Sequence, residues 1–216
     1  MNKVKGIVTK STGSWYTVYD ENGKKIDCRL KGKFRIQGIK STNPIAVGDH
    51  VIFEYEQGKE TGVINKIEDR KNYIIRKSVN LSKQTHIIAA NIDIAFLLVT
   101  IDNPPTFPGF IDRFLATAEA YNITAVLLFN KLDSYNDSQL EKLASLESIY
   151  TDIGYKCIAI SATKNIDIIK VKALMKDKIT MFSGHSGVGK STLINAIEPS
   201  LNLKTAEISK QHKQGL

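Results

Sequence analysis

The chain has 216 residues, 42% of them hydrophobic and 8% aromatic, which is typical of a soluble globular protein with one or two domains. No apolar run approaches the length of a membrane span and the N-terminus lacks a signal-peptide core, so we expect no membrane association. The net charge of +8 excludes a strongly acidic protein, and its basic excess, concentrated in residues 1–40 and 161–216, fits an RNA-facing surface or a solvated Lys-rich one. Cys28 and Cys157 lie outside any C-x-x-C pattern, which predicts free thiols in a reducing cytoplasm.

The N-terminal region, residues 1–67, contains short runs with the composition of strands. Turn signals separate them, and Asn22-Gly23 between two runs indicates a hairpin. The predicted strands are residues 3–10, 15–20, 24–30, 50–56 and 61–67. Five strands at this spacing predict a small all-β barrel, with the OB-fold as the expected type. Such barrels bind nucleic acid through a charged groove and aromatic stacking platforms.

A basic run follows the third predicted strand, and we expect it to contact RNA. The candidate contacts are Arg29, Lys31, Lys33 and Arg35. Trp15, Tyr16 and Phe34 are the aromatic side chains that suit base stacking in the same region. Trp15 fits the barrel core equally well, so its role stays open at this point.

Residues 68–88 lack clear periodicity and are interpreted as a linker, after which the pattern changes. From Ala89 to the end, strand-like runs alternate with helical ones. The strands are residues 92–99, 125–129, 155–160 and 179–182, and the helices are 110–121, 138–150 and 166–175. This alternation predicts an α/β domain, residues 89–216, with a parallel sheet covered by helices.

Two loops with guanine-reading chemistry follow predicted strands of this domain. Asn130-Lys131-Leu132-Asp133 comes directly after residues 125–129, at the strand end where parallel sheets place ligand loops. The Asp133 carboxylate can accept hydrogen bonds from guanine N1–H and the 2-amino group, which adenine does not present in that arrangement. Lys131 can cover the base, and Asn130 can tie this loop to a phosphate loop. Ser161-Ala162-Thr163, after residues 155–160, is expected to read guanine O6 with its backbone.

A glycine-rich phosphate loop follows the last predicted strand. Gly184-His185-Ser186-Gly187-Val188-Gly189-Lys190-Ser191 matches G-x-x-x-x-G-K-[ST], and Thr192 begins a predicted helix that ends before Pro199. Glycines let backbone N–H groups approach phosphate oxygens, and the helix N-terminus favours an anion. We expect Lys190 to bridge the β- and γ-phosphates and the Ser191 hydroxyl to bind Mg²⁺. The predicted ligands are therefore GTP or GDP with Mg²⁺, while His185 is interpreted as a tolerated side chain rather than a catalyst.

The order of the motifs is permuted, because in most small GTPases the phosphate loop precedes both guanine-reading loops. Circular permutation is tolerated where chain ends lie close together. This order, the N-terminal barrel and the stretches at residues 28–33, 89–93 and 111–116 resemble the ribosome small subunit-dependent GTPases, a circularly permuted family. The resemblance implies a cytoplasmic enzyme, expected to be a monomer, that hydrolyses GTP during late maturation of the 30S ribosomal subunit and binds its rRNA. Asp112 and Arg113, within one matching stretch, are expected to stabilise a helix.

The sequence departs from this family after the phosphate-loop helix. The family continues with a switch segment that carries a Mg²⁺-binding Thr, a D-x-P-G loop and a helical zinc domain, none of which is found before Leu216. The resemblance therefore implies a truncated form with poor activity, no water-positioning residue, and Zn²⁺ only in a further C-terminal domain. An alternative is an RNA-binding assembly module that uses nucleotide as a structural switch with little hydrolysis. Asp133 and Ser161-Ala162 disfavour a P-loop ATPase or kinase.

Overall fold

The computed structural model describes residues 3–30, 44–77 and 85–205. It divides into two compact units, Met1–Ile92 and Asp93–Leu216. Among the described residues, no helix is long and apolar enough to cross a membrane.

The first unit contains a closed five-stranded barrel. Its strands are β1 (Val4–Thr12), β2 (Trp15–Asp20), β3 (Lys25–Leu30), β4 (His50–Tyr55) and β5 (Gly62–Ile67). They pair in the order β1-β2-β3-β5-β4, and β4 pairs back with β1. The β3–β5 pair is parallel and the others are antiparallel. The predicted all-β barrel is confirmed, and every strand lies within two residues of its expected bounds.

Alternation along the strands decides which side chains fill the barrel. Val8, Val18 and Phe53 are fully buried in its core. Tyr16 is 2% exposed, whereas its neighbour Trp15 is 47% exposed. Consecutive residues of a strand face opposite sides, so Tyr16 belongs to the core and Trp15 to the surface. The expectation of a surface-stacking Tyr16 was therefore wrong, as was the option of a core position for Trp15; Phe34 lies outside the described residues.

The segment predicted as a linker contains regular structure. β6 (Tyr73–Lys77) and β7 (Thr85–Ala90) form an antiparallel pair within the first unit. Arg70 donates to both carboxylate oxygens of Asp49 at 2.6 Å, and Asn91 Nδ2 donates to the Gly48 carbonyl at 2.9 Å. These contacts attach the hairpin to the barrel, because buried polar groups require such partners. The sequence missed the two strands since they are short and lack regular alternation; the domain bounds at 67 and 88 stay a prediction.

The second unit is an α/β fold with a parallel sheet, as predicted. Its strands are β8 (Ile94–Val99), β9 (Thr124–Phe129), β10 (Lys156–Ala159) and β11 (Thr180–Ser183), in the order β10-β9-β8-β11. All three pairings are parallel. The helices are α1 (Pro108–Ala120), α2 (Asp137–Asp152), α3 (Ile168–Met175) and α4 (Lys190–Ile197).

The sheet is buried on both faces, and its loops emerge at one edge. Every residue of β8 is buried, as a strand covered on both faces requires. Ile94, Phe96 and Leu98 pack in one cluster with Val171 of α3 and Leu193 of α4. Because the strands are parallel, the chain leaves β9, β10 and β11 at the same edge of the sheet. The three predicted ligand loops follow these strands.

Candidate nucleotide-binding site

One buried side chain, Asn130, connects the three loops at the sheet edge. Its Nδ2 donates to the Val188 carbonyl at 2.9 Å, and its Oδ1 accepts the Ala162 backbone N–H at 3.1 Å. Asn130 is only 2% exposed, so these contacts are made away from water. The structure thus brings together the three motifs that are separated in the sequence.

Tyr135 holds the Asn130 loop through two hydrogen bonds of its hydroxyl group. Its hydroxyl donates to the Asn130 carbonyl at 2.5 Å and accepts the Ile101 backbone N–H at 3.0 Å. Burial raises the pKa of Tyr135 to about 12, so the hydroxyl keeps its proton and remains a donor. The Asn130 N–H also donates to the Val99 carbonyl at 2.8 Å. Sequence reasoning missed Tyr135, because a tyrosine five residues after an asparagine carries no recognisable pattern.

The Asp133 carboxylate lies against the second loop. Ser161 Oγ donates to one of its oxygens at 2.5 Å, and Thr163 Oγ1 donates to the other at 3.1 Å. The hydrogen bonds from Ser161 and then Thr163 lower the pKa of Asp133, although burial opposes them. Because a carboxylate offers about four acceptor sites, these hydrogen bonds do not saturate Asp133. Recognition of guanine N1–H and its 2-amino group by this carboxylate stays a prediction.

The residues between Asn130 and Asp133 are held in a defined turn. Lys131 has a left-handed backbone with φ of 70°, and its ammonium group donates to the Asn103 carbonyl. Burial lowers the pKa of Lys131, while Asp102 and Asp133 act in the opposite direction. The Leu132 N–H donates to the Ile160 carbonyl at 3.1 Å, which joins this turn to the end of β10.

The Ala162 N–H has a different partner from the one expected from the sequence. It donates to Asn130 Oδ1 rather than projecting toward a base. Ser161 is fully buried, and its hydroxyl also accepts the Lys164 N–H at 3.1 Å. Reading of guanine O6 by the Ser161–Thr163 backbone stays a prediction, and at Ala162 it would require an exchange of hydrogen-bond partner.

The phosphate loop has a backbone that only glycine accommodates at its two ends. Gly184 and Gly189 have φ of 144° and 96°, in the region that L side chains rarely adopt. A Cβ on Gly189 would lie 2.4 Å from Asn130 Nδ2, and one on Gly184 would lie 2.8 Å from the Leu98 carbonyl oxygen. Gly187 also has a positive φ of 82°. The glycines therefore let the loop pass directly beside β8 and Asn130.

Helix α4 begins at Lys190, with Gly189 as its N-cap, so its unpaired N–H groups face the loop. The Lys190 ammonium donates to the carbonyls of Gly184 and His185 at 2.8 and 2.7 Å. Burial lowers the pKa of Lys190. A glycine cradle, a helix N-terminus and an ammonium group together fit an anionic phosphate chain.

Ser191 and Thr192 occupy the first turn of α4, and Ser186 and Gly187 form the tip of the loop. The Ser191 hydroxyl is the Mg²⁺ ligand predicted from the sequence. In residues 3–30, 44–77 and 85–205 no group of three His, Cys, Asp or Glu side chains is arranged to hold a metal ion. Since Mg²⁺ commonly combines one or two protein ligands with phosphate oxygens and water, a single hydroxyl suits a metal that binds together with a nucleotide.

His185 points away from the loop toward α1. Its ring centroid lies 3.9 Å from that of Phe110, with an interplanar angle of 33°. Phe110 was not predicted from the sequence, because only the fold brings it to the loop. In the same helix, Asp112 accepts a hydrogen bond from the Tyr150 hydroxyl at 2.8 Å, a contact of the structural kind expected for this residue.

The barrel carries a groove on the outer face of β1, β2 and β3. Its volume is about 350 Å³. The side chains that line it include Lys10, Trp15, Thr17, Tyr19, Lys25 and Asp27. Trp15 and Tyr19 are 47% and 41% exposed.

Of the RNA contacts predicted from the sequence, Arg29 lies within the described residues, opposite Trp15 in the β2–β3 pair. Arg29 is paired with Glu56 at 2.5 Å. Lys31, Lys33 and Arg35 fall in the range that the structure does not describe. The groove presents two exposed aromatic rings, Trp15 and Tyr19, beside Lys10 and Lys25. Contact of the basic residues with RNA stays a prediction.

A parallel sheet with guanine-type loops after β9 and β10 and a phosphate loop after β11 defines the fold of a circularly permuted P-loop GTPase, preceded here by an OB-like barrel. The chain belongs to the RsgA GTPase family. The family model described as RsgA GTPase matches residues 67–216, and that described as RsgA N-terminal domain matches residues 5–64.

Curated relatives and solved structures agree with this assignment. The chain is 64% identical over 212 residues to the small ribosomal subunit biogenesis GTPase RsgA of Flavobacterium johnsoniae, a match that covers 97% of the chain and 65% of the relative. Its identity to RsgA of Christiangramia forsetii is also 64%, over 98% of the chain and 68% of the relative. The chain thus spans about two thirds of the length of these relatives.

Two crystal structures share the fold. YjeQ from Thermotoga maritima matches with a TM-score of 0.79 and 36% identity, over 99% of this chain and 73% of that one. YloQ, described as a circularly permuted GTPase, matches with a TM-score of 0.72 and 32% identity, over 92% and 66%.

Proposed function

We propose that this chain binds GTP and GDP at the three-loop site and takes part in GTP hydrolysis coupled to maturation of the small ribosomal subunit. The observation that carries the proposal is the Asn130 side chain, bonded at once to the phosphate loop and to the Ser161–Thr163 loop. The names of the curated relatives, which are small ribosomal subunit biogenesis GTPases, support the coupling. Two free cysteines and the ribosomal role favour a cytoplasmic location.

Each residue of the site has a defined part in this proposal. The Lys190 ammonium, oriented by the carbonyls of Gly184 and His185, reaches the β- and γ-phosphate oxygens. Asp133 selects guanine, and Asn130 holds its own loop against the phosphate loop. The Ser191 hydroxyl holds Mg²⁺, which supplies charge neutralisation at the phosphates when it is bound. No water-positioning group is assigned within the described part of the chain.

The barrel groove is the proposed contact with rRNA. The Trp15 and Tyr19 rings offer stacking surfaces, and Lys10 and Lys25 lie along the same groove. Bases stack on aromatic rings irrespective of sequence, while lysines attract the phosphate backbone. We therefore infer that the groove takes a single-stranded segment of rRNA.

The nucleotide assignment is tested by titrating the chain with a fluorescent GDP analogue and displacing it with GTP, GDP or ATP. We expect GTP and GDP to compete and ATP to fail. Asp133→Asn should weaken GDP binding by at least about a hundredfold, because the amide group cannot accept from both guanine donors. The same variant should bind xanthosine diphosphate better than the wild type does, since xanthine presents an acceptor at C2. Competition by ATP equal to that of GTP would refute the guanine assignment.

The catalytic and ribosomal parts need a second experiment. GTP hydrolysis is measured with and without purified 30S subunits, for the wild type and for Lys190→Ala. Stimulation of the wild type alone supports the proposal. Binding to 30S subunits that is independent of nucleotide, with no hydrolysis, would instead favour an RNA-binding assembly module.

A further inference from the structure

The phosphate loop is held from two directions by different kinds of contact. On the sheet side, Val188 is fully buried and its carbonyl accepts from Asn130, while Gly184 lies against β8. A second contact is made by His185, whose ring packs at an angle of 33° against that of Phe110, in the first turn of α1. At 3.9 Å between centroids, the two rings are in direct contact.

The backbone of His185 takes part in the site although its side chain points elsewhere. Its carbonyl oxygen accepts from the Lys190 ammonium at 2.7 Å, beside the Gly184 carbonyl at 2.8 Å. The ring contact with Phe110 and the carbonyl contact with Lys190 thus belong to the same residue, so a contact that holds the ring also restricts the backbone that carries the carbonyl. The phosphate-binding cation is linked in this way to the start of α1 through one ring contact.

The charges around His185 favour a neutral ring. Burial, Lys190 of α4 and Arg113 of α1 all lower the pKa of His185. A neutral imidazole can pack against Phe110 without adding a third positive charge beside Lys190 and Arg113. The pair therefore acts as a packing contact at neutral pH.

We propose that Phe110 is a positioning residue for nucleotide binding, which holds His185 and so fixes the carbonyl oxygens that orient Lys190. The inference rests on the proposed nucleotide site and adds a residue from outside its three motifs. Phe110 acts through His185 and does not itself touch the nucleotide.

The test measures the dissociation rate of a fluorescent GDP analogue from the whole chain. Phe110→Ala should raise this rate about two- to tenfold, the range expected for loss of one aromatic pair, while the association rate changes little. Phe110→Tyr should restore the wild-type rate, because it keeps the ring. Phe107→Ala is the matched control, since Phe107 lies at the same end of α1 and is 65% exposed; it should leave the rate unchanged.

A double-mutant cycle separates positioning from general destabilisation. His185→Ala should raise the dissociation rate as Phe110→Ala does, and the double variant should be no faster than the faster single one. Thermal unfolding of each variant without nucleotide gives the structural contribution. If Phe110→Ala does not fold, Phe110→Leu serves in its place, since it keeps apolar bulk and removes the ring.

The outcomes distinguish this inference from the function on which it rests. A wild-type chain that binds no GDP refutes both. Normal binding by the wild type with an unchanged rate in Phe110→Ala, or with additive effects of the two substitutions, refutes only the role of Phe110.

Discussion

The nucleotide site and the barrel groove represent two ways of presenting functional side chains. At the nucleotide site, Asn130 is 2% exposed and each polar group of its side chain is bonded to another loop. In the groove, Trp15 and Tyr19 are 47% and 41% exposed, and they lie four residues apart on one strand. The first site depends on contacts between loops distant in sequence, and the second on the alternation of a single strand.

This difference has energetic consequences. Residues that share buried hydrogen bonds are coupled, so one substitution disturbs several loops at once. Exposed side chains on a rigid strand contribute separately. We therefore expect large, non-additive effects around Asn130 and smaller, nearly additive effects in the groove.

The largest expected effect comes from Asn130→Ala. The substitution leaves the Val188 carbonyl and the Ala162 N–H without their present partner, and each such buried group costs about 1–3 kcal/mol. GDP affinity should fall by about a hundredfold or more. Ser134→Ala is the control, because its hydroxyl donates to the Lys131 carbonyl in the same turn. A loss of less than threefold, measured by titration calorimetry, would contradict the coupled arrangement.

The next prediction concerns the groove. Trp15→Ala and Tyr19→Ala should each weaken binding of single-stranded RNA by about 1–3 kcal/mol, the amount typical of base stacking. The double variant should show the sum of the two losses, in contrast to the nucleotide site. Val47→Ala removes another exposed apolar side chain of the same unit and should have no effect. Fluorescence anisotropy with a short labelled RNA gives these affinities. If the loss in the double variant differs strongly from the sum of the single losses, the groove does not differ from the nucleotide site in this respect.

The third prediction is a pH dependence at Asp133. Because the folded carboxylate has a lowered pKa, it stays charged as the pH falls through its usual range, and base recognition persists. Ser161→Ala removes the main cause of the lowering, so the carboxyl group should protonate at a higher pH. The ratio of the variant and wild-type dissociation constants for GDP should then rise as the pH falls through the usual range of an Asp carboxyl group, about pH 4 and below, by up to about tenfold per unit of pKa shift.

This ratio cancels titration of the nucleotide itself. Thr163→Val, which removes the weaker hydrogen bond, should produce a smaller rise. A ratio that does not vary with pH would show that Ser161 does not control the charge of Asp133.

The smallest expected effect is electrostatic. Lys10→Gln and Lys25→Gln remove charges along the groove, and each lost phosphate contact should reduce the salt-dependence slope of RNA binding by about 0.7. Affinity at high salt should change little. An unchanged slope would show that Lys10 and Lys25 do not contact the phosphates of the bound RNA.

The sequence predicted those parts of the molecule that local patterns specify. The barrel strands, the alternating α/β elements and the three loops after strands follow from periodicity and from short motifs. The role of Asn130 in joining two loops was also expected, and the structure has this contact. These features are readable because each depends on residues that are close together in the chain.

The remaining features depend on contacts that no local pattern encodes. In Trp15-Tyr16-Thr17-Val18 both strand faces carry residues suited to burial, so the sequence does not determine which aromatic residue lies inside. Tyr135 and Phe110 acquire their roles only when the fold brings them to Asn130 and His185.

The contact between Asn130 and Val188 also determines when the nascent chain can complete the nucleotide site. Its two partners are separated by 58 residues, and the phosphate loop is the last of the three to be synthesised. At translation rates of about 5–20 residues per second, the guanine loop is made about 3–12 s before its partner. During this interval the amide of Asn130 must remain solvated or find other partners. Cotranslational capture of nucleotide by the complete site can therefore begin only after the phosphate loop has left the exit tunnel.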